Sequence, residues 1–132
     1  MGYKKMNFNF ENNLEIYGEK EDLQKFFIDN ASENSILSFK NIIPEDDNNL
    51  YLLEGGMYDG DDLYYSFLTE GGAPLNWIRI VGEKYNRLEF YMVYQSKEME
   101  ESGEIIYKNG KLYHNCRYNS EDEIIENNVI TI

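Results

Sequence analysis

Histidine and cysteine are almost missing from this 132-residue chain; His114 and Cys116 are the only ones. A single thiol excludes an intrachain disulfide and fits a reducing compartment. One histidine gives no basis for a Ser-His-Asp set, and a zinc site of three or four ligands finds no second His or Cys. No apolar run approaches the roughly 18 residues that a membrane span needs. The opening Met1-Gly2-Tyr3-Lys4-Lys5-Met6 lacks the apolar core of a signal peptide, and Met6 stands where a myristoylation site wants Ser or Thr. The expected location is the cytoplasm. Bases are scarce too: 12 Lys and Arg face 25 Asp and Glu, a net charge of −13. Such a balance opposes direct contact with nucleic acid, whose phosphates are met by Lys and Arg, and opposes adsorption to anionic lipid. It favours a basic partner.

The scarcity of bases is uneven. Between Lys40 and Arg79 there is none, while Glu45, Asp46, Asp47, Glu54, Asp59, Asp61, Asp62 and Glu70 supply eight acids. This one segment therefore carries −8 of the −13.

The clearest structural signals lie in residues 63–113. Leu63-Tyr-Tyr-Ser-Phe-Leu-Thr69 has a strand profile, with Tyr65, Phe67 and Thr69 on one face and Tyr64, Ser66 and Leu68 on the other. Gly71-Gly72 breaks the run, and Pro74 suits a first helical position, where its missing N–H has no intrahelical partner anyway. Leu75, Ile78, Val81 and Tyr85, with Trp77 beside Val81, recur at helical spacing, and Asn86 suits a left-handed helix end. Leu88, Phe90, Met92 and Tyr94 then alternate as a strand with one apolar face. Residues 103–108 and 111–115 flank Asn109-Gly110, which predicts a hairpin with a type I′ turn.

Earlier in the chain, a strand is expected at Asn13–Tyr17, starting sooner if bulged, and a helix at Glu21–Ala31 with Leu23, Phe26, Phe27 and Ala31 inward. Ile36–Ile43 reads as a second strand stopped by Pro44, and Leu50–Leu53 as a short extra strand within an acidic connection over 44–62. In the acidic and apolar tail, 120–132, Ser120 and Glu123 suggest a capping box and a short helix over Ser120–Asn127. The apolar end beyond it would pack back as an edge strand or remain free. The β-α-β echo between the halves predicts an α+β fold of split βαβ, ferredoxin-like type. One domain, 1–132, is expected, with an antiparallel sheet, two helices on one face and a C-terminal hairpin.

Phe67, Thr69, Pro74, Trp77, Ile78, Tyr85, Leu88, Phe90, Tyr94, Gly103 and Gly110 follow in an order that resembles the YubB-like ferredoxin-like family of plasmid and phage proteins, a resemblance that covers roughly the C-terminal half plus the first strand–helix unit. The resemblance implies a ferredoxin-like fold and a mobile-element setting, and no shared activity. Members often carry a Trp-rich stretch upstream; here Tyr51-Leu-Leu-Glu-Gly-Gly-Met-Tyr58 has neither Trp nor Lys. Heavy use of Asn, Lys, Ile, Glu and Tyr is the codon signature of an AT-rich genome, such as a low-GC bacterium or its phage or plasmid.

Reactive chemistry is thin. Asp59-Gly60-Asp61-Asp62 departs from the calcium-loop spacing and reads as a solvated turn. His114 and Cys116, two apart on one strand face, read as an edge-strand histidine and a half-buried thiol. Gly71-Gly72 with Glu70 alongside reads as a tight turn rather than an anion cradle. Glu100 and Glu101 read as a solvent loop. Phe and Tyr can stack bases on sheets of this class, but no basic rim accompanies them here. These readings lead to the expectation of a non-enzymatic protein that needs no cofactor or metal. Its acidic surface, Glu45, Asp46, Asp47, Glu54, Asp59, Asp61 and Asp62 with Tyr58 and Tyr64 as interface tyrosines, would meet a basic, nucleic-acid-binding host protein. A phage or plasmid inhibitor of a bacterial immune effector such as a CRISPR nuclease is the concrete form. A small-ligand or nucleotide module using an aromatic cleft beside the 44–62 connection is the alternative, and an enzyme ranks below both.

Overall fold

A computed structural model describes residues 8–33, 35–43, 50–58, 62–119 and 124–129. Seven strands and two helices follow in the order β1 (Phe8–Tyr17), α1 (Lys20–Asp29), β2 (Leu50–Tyr58), β3 (Asp62–Glu70), α2 (Leu75–Lys84), β4 (Glu89–Ser96), β5 (Glu101–Lys108), β6 (Lys111–Asn119) and β7 (Ile124–Val129). The fold is α+β. One antiparallel sheet runs β2-β3-β1-β4-β5-β6-β7, so β1 lies between β3 and β4, and the last four strands form a meander.

Strict alternation builds the sheet. Phe10, Asn12, Leu14 and Ile16 of β1 are buried, whereas Glu11, Asn13, Glu15 and Tyr17 are exposed. β3 repeats the pattern with Leu63, Tyr65, Phe67 and Thr69 buried. Both helices cover this inner face. Phe26 of α1 meets Tyr85, Phe90 and Trp77 edge-on, with ring centroids 5.0, 5.5 and 6.0 Å away, and so joins both helices to β4. Such pairs add to the stabilisation from apolar burial. The buried amide of Asn12 donates through Nδ2 to the Phe67 carbonyl and the Thr69 hydroxyl, and that hydroxyl donates to the Gly72 carbonyl at 2.7 Å. This chain of bonds fixes the turn that launches α2.

Residues 36–43 are not a strand. Leu37 and Phe39 are buried, as alternation suggests, but turns hold them beneath the end of α1. The Ser38 amide donates to the Asn30 carbonyl at 2.6 Å, and the Asn41 side chain donates to the carbonyls of Asp29 and Ala31. The second strand is instead Leu50–Tyr58, the full form of the short extra strand expected there. Gly55-Gly56 makes its sequence look like a loop. At Gly55 a Cβ would stand 2.8 Å from the Tyr64 carbonyl oxygen, so glycine marks a close backbone approach within the sheet.

Smaller corrections follow the same logic. The helix over Ser120–Asn127 is absent where the chain is described: Ile124–Val129 pairs with β6, which satisfies its backbone better than a short exposed helix would. Its expected cap, residues 120–123, lies outside the described residues. Pro74 is the residue before α2 rather than the first within it, and Asn86 is not left-handed; among the described residues only Glu100 and Asn109 are non-glycines with positive φ. Asn109 at φ 54° and Gly110 at φ 76° form the expected hairpin turn. Glu101 belongs to β5 and pairs with Arg117 at 2.8 Å, so it is not in a solvent loop. β6 lies between β5 and β7, so His114 is not on an edge strand, and Cys116 is fully buried rather than half so.

Candidate functional site

The helices leave the other sheet face uncovered. Cross-strand partners share a face, so the register defines its occupants. Glu15 lies between Tyr64 and Tyr91, and Tyr17 between Asp62 and Glu89. Glu54 stands opposite Ser66, which stands opposite Asn13. Val93 lies opposite Glu104, and Glu104 opposite Cys116. Carboxylates and tyrosines therefore interleave across β2, β3, β1, β4 and β5.

The tyrosines are organised by hydrogen bonds to these acids. Tyr17 meets Tyr91 edge-on at 5.5 Å, and its hydroxyl donates to Glu15. The Tyr91 hydroxyl donates to Glu89 at 3.1 Å, and Tyr64 to the Asn13 side-chain oxygen at 3.1 Å. Lys108 Nζ lies 4.4 Å from the ring centre of Tyr113 and 5.6 Å from that of Tyr91, a cation held between two π-faces. The hydrogen bond to Glu15, then burial and the charges of Glu15 and Asp62, push the Tyr17 phenol up to about 12. Its bond with Tyr91 raises Lys108, keeping that cation charged.

At the β5–β6 end, His114 Nε2 lies 3.0 Å from Glu104 Oε1. Tyr118 is pushed up to about 12, first by its hydrogen bond with Cys116, then by burial and by the Glu104 charge. The histidine is engaged by a carboxylate, and the thiol is buried beside a tyrosine. Among the described residues no group of three or more His, Cys, Asp or Glu is placed to hold a metal ion, and no helix is long and apolar enough to cross a membrane.

Of the residues expected to meet a partner, Glu54, Asp62 and Tyr64 come together on this face. Tyr58 pairs through its backbone with Asp62. Glu45, Asp46, Asp47, Asp59 and Asp61 lie outside the described residues. Glu11, Glu15, Glu89 and Glu104, with Tyr17, Tyr91 and Tyr113, belong to the same face although the acid-rich segment does not contain them. The alternation Glu11-Asn12-Asn13-Leu14-Glu15-Ile16-Tyr17 was a signal that could have found the first of these.

No protein-family model, curated protein or solved structure matches this chain. A second feature lies at the sheet edge. Residues 31–40 and β2 enclose an open cleft of about 960 Å³, with Ile36, Leu37, Phe39 and Leu52 in its lining. It is bounded by the segment after α1 and by Leu50–Gly55, which belong to the 44–62 stretch beside which an aromatic cleft was expected.

Proposed function

We propose that this chain is a non-enzymatic binding protein whose uncovered sheet face engages a basic protein surface of the kind that contacts nucleic acid. The observation that carries the reading is the make-up of that face: Glu11, Glu15, Glu54, Asp62, Glu89 and Glu104 stand against Lys108 and Lys111, with tyrosines between them. Carboxylates spaced along and across strands form a regular anionic array, and a cationic surface shaped to meet phosphates can meet it in their place. Tyrosine supplies amphipathic contact area at low entropic cost. The same properties suit a cytoplasmic, phage- or plasmid-encoded inhibitor of a host defence protein, including a CRISPR effector. The resemblance to the YubB-like family supports that setting. The order β2-β3-β1-β4, with one helix after β1 and one after β3, supports a ferredoxin-like split βαβ core extended by β5, β6 and β7.

The test is capture of a basic protein from bacterial lysate, followed by competition. Short duplex DNA or RNA should displace the captured protein, and Glu15→Lys with Glu104→Lys should weaken binding by at least about tenfold at 0.15 M salt. Binding that survives both excludes this face.

A further inference from the structure

We infer that the outer edge of β2 over Leu52–Met57 accepts an extended, lysine- or arginine-containing segment of the partner by strand addition. The inference rests on the reading above in one respect, the partner's positive charge. β2 ends the sheet. Exposed sheet edges are usually blunted by Lys, Pro or shortness, because an open edge is a template for another strand. Leu50-Tyr-Leu-Leu-Glu-Gly-Gly-Met-Tyr58 has nine residues, no Lys and no Pro, and exposes Leu53 by 54%. Its irregularities are a register shift between Leu52 and Glu54 and a positive φ of 147° at Gly56.

The cleft lies where an added strand would run. Neighbouring strands stand about 4.8 Å apart, and alternate side chains point to opposite faces. One set of partner side chains would enter the cleft over Ile36, Leu37, Phe39 and Leu52; the other would lie on the carboxylate side with Glu54. Glu33 and Glu54 are exposed in the cleft lining, with Lys40 as the cation there. A second copy of this chain would bring another −13 to the same edge. Charge complementarity therefore selects a basic segment over self-pairing.

The probe is the peptide acetyl-Lys-Val-Lys-Val-Lys-Thr-Lys-amide, added to isotope-labelled full-length protein at up to about 1 mM, and a second peptide of the same sequence N-methylated at alternate residues. Amide hydrogen exchange is read by NMR. The parent peptide should slow exchange within residues 52–57 by at least about tenfold, and the N-methylated peptide should not, because it cannot complete the ladder. Leu53→Lys, at an exposed position, should weaken binding about tenfold with an otherwise unchanged amide spectrum. Four results overturn the inference: no protection at 52–57, equal binding of the N-methylated peptide, strand pairing between copies without peptide, or perturbation confined to Glu11, Glu15, Tyr17 and Tyr91. The last would leave the sheet-face reading standing. Protection at 52–57 should persist in the Glu15→Lys, Glu104→Lys protein, so that loss of captured-protein binding in that variant tests the sheet face separately from the edge.

Discussion

At residue scale, Gly103 stands opposite Tyr94, and the tyrosine occupies the space a side chain would fill. A Cβ at 103 would collide with the hydroxyl end of Tyr94 and come within 2.9 Å of the Cys116 carbonyl oxygen. Gly103→Ala should therefore destabilise the protein by about 1–3 kcal/mol in urea unfolding, the usual cost of overpacking. Tyr85 offers a second test. Burial pushes the Asp29 carboxyl up, but hydrogen bonds from Tyr85 and Lys25 outweigh it and hold the group below its ordinary value. A depressed carboxyl stabilises the fold above its unfolded pKa, and that contribution is lost as pH falls through the folded value. Tyr85→Phe should cost about 1 kcal/mol at neutral pH and move the Asp29 titration upward, read by NMR of the carboxyl carbon. Tyr17 works in the opposite sense. Its phenol is raised from 10.0 to about 12, so its contribution is complete below pH 10 and disappears as pH rises through about 12. Phenolate absorbance should show several late-titrating tyrosines, Tyr17 and Tyr118 among them, and Glu15→Gln should bring one of these back toward the ordinary value.

At element scale, the two ends of the sheet differ. β6 is covered by β7, whose Asn127 stands opposite Cys116. Truncation after Asn119 turns β6 into an edge and should raise the rate at which Cys116 reacts with a thiol reagent in native buffer, while full-length protein reacts slowly until unfolded. An unchanged rate would mean that β5 and Tyr118 alone shield the thiol. Among the described residues no strand covers β2 in this way, and its residues were the hardest to place. Leu37 and Phe39 have the alternation of a strand, yet they plug the space under α1. Gly55-Gly56 suggests a loop, yet the glycine lets β2 pass close to β3. Periodicity reports which side chains are buried; it does not report whether the backbone bonds to a neighbouring strand or to itself. The hairpin at Asn109-Gly110 had no such ambiguity, because its conformation is local.

At the scale of the whole molecule, charge dominates. A net −13 on a chain of this size repels itself, so raising sodium chloride from 20 mM to 0.5 M should increase the melting temperature by several degrees through screening. A flat or falling response would mean that local pairs such as Arg117–Glu101 and Arg87–Asp22 govern the electrostatics. Only part of the candidate face was visible beforehand. Glu54, Asp62 and Tyr64 belong to the acid-rich stretch, and alternation reveals Glu11 and Glu15. Glu89 and Glu104 join them only because β4 and β5 continue the same sheet.

Composition, alternation and turn chemistry were enough to determine the acidity, both helices, the strands around α2 and the hairpin, because each depends on residues near one another in the chain. Which strand follows α1, which strands lie at the edges, and which acids share a surface were decided by tertiary pairing. Those outcomes depend on hydrogen bonds between residues as much as 84 positions apart, such as Gln95 to Glu11, and no local pattern encodes them.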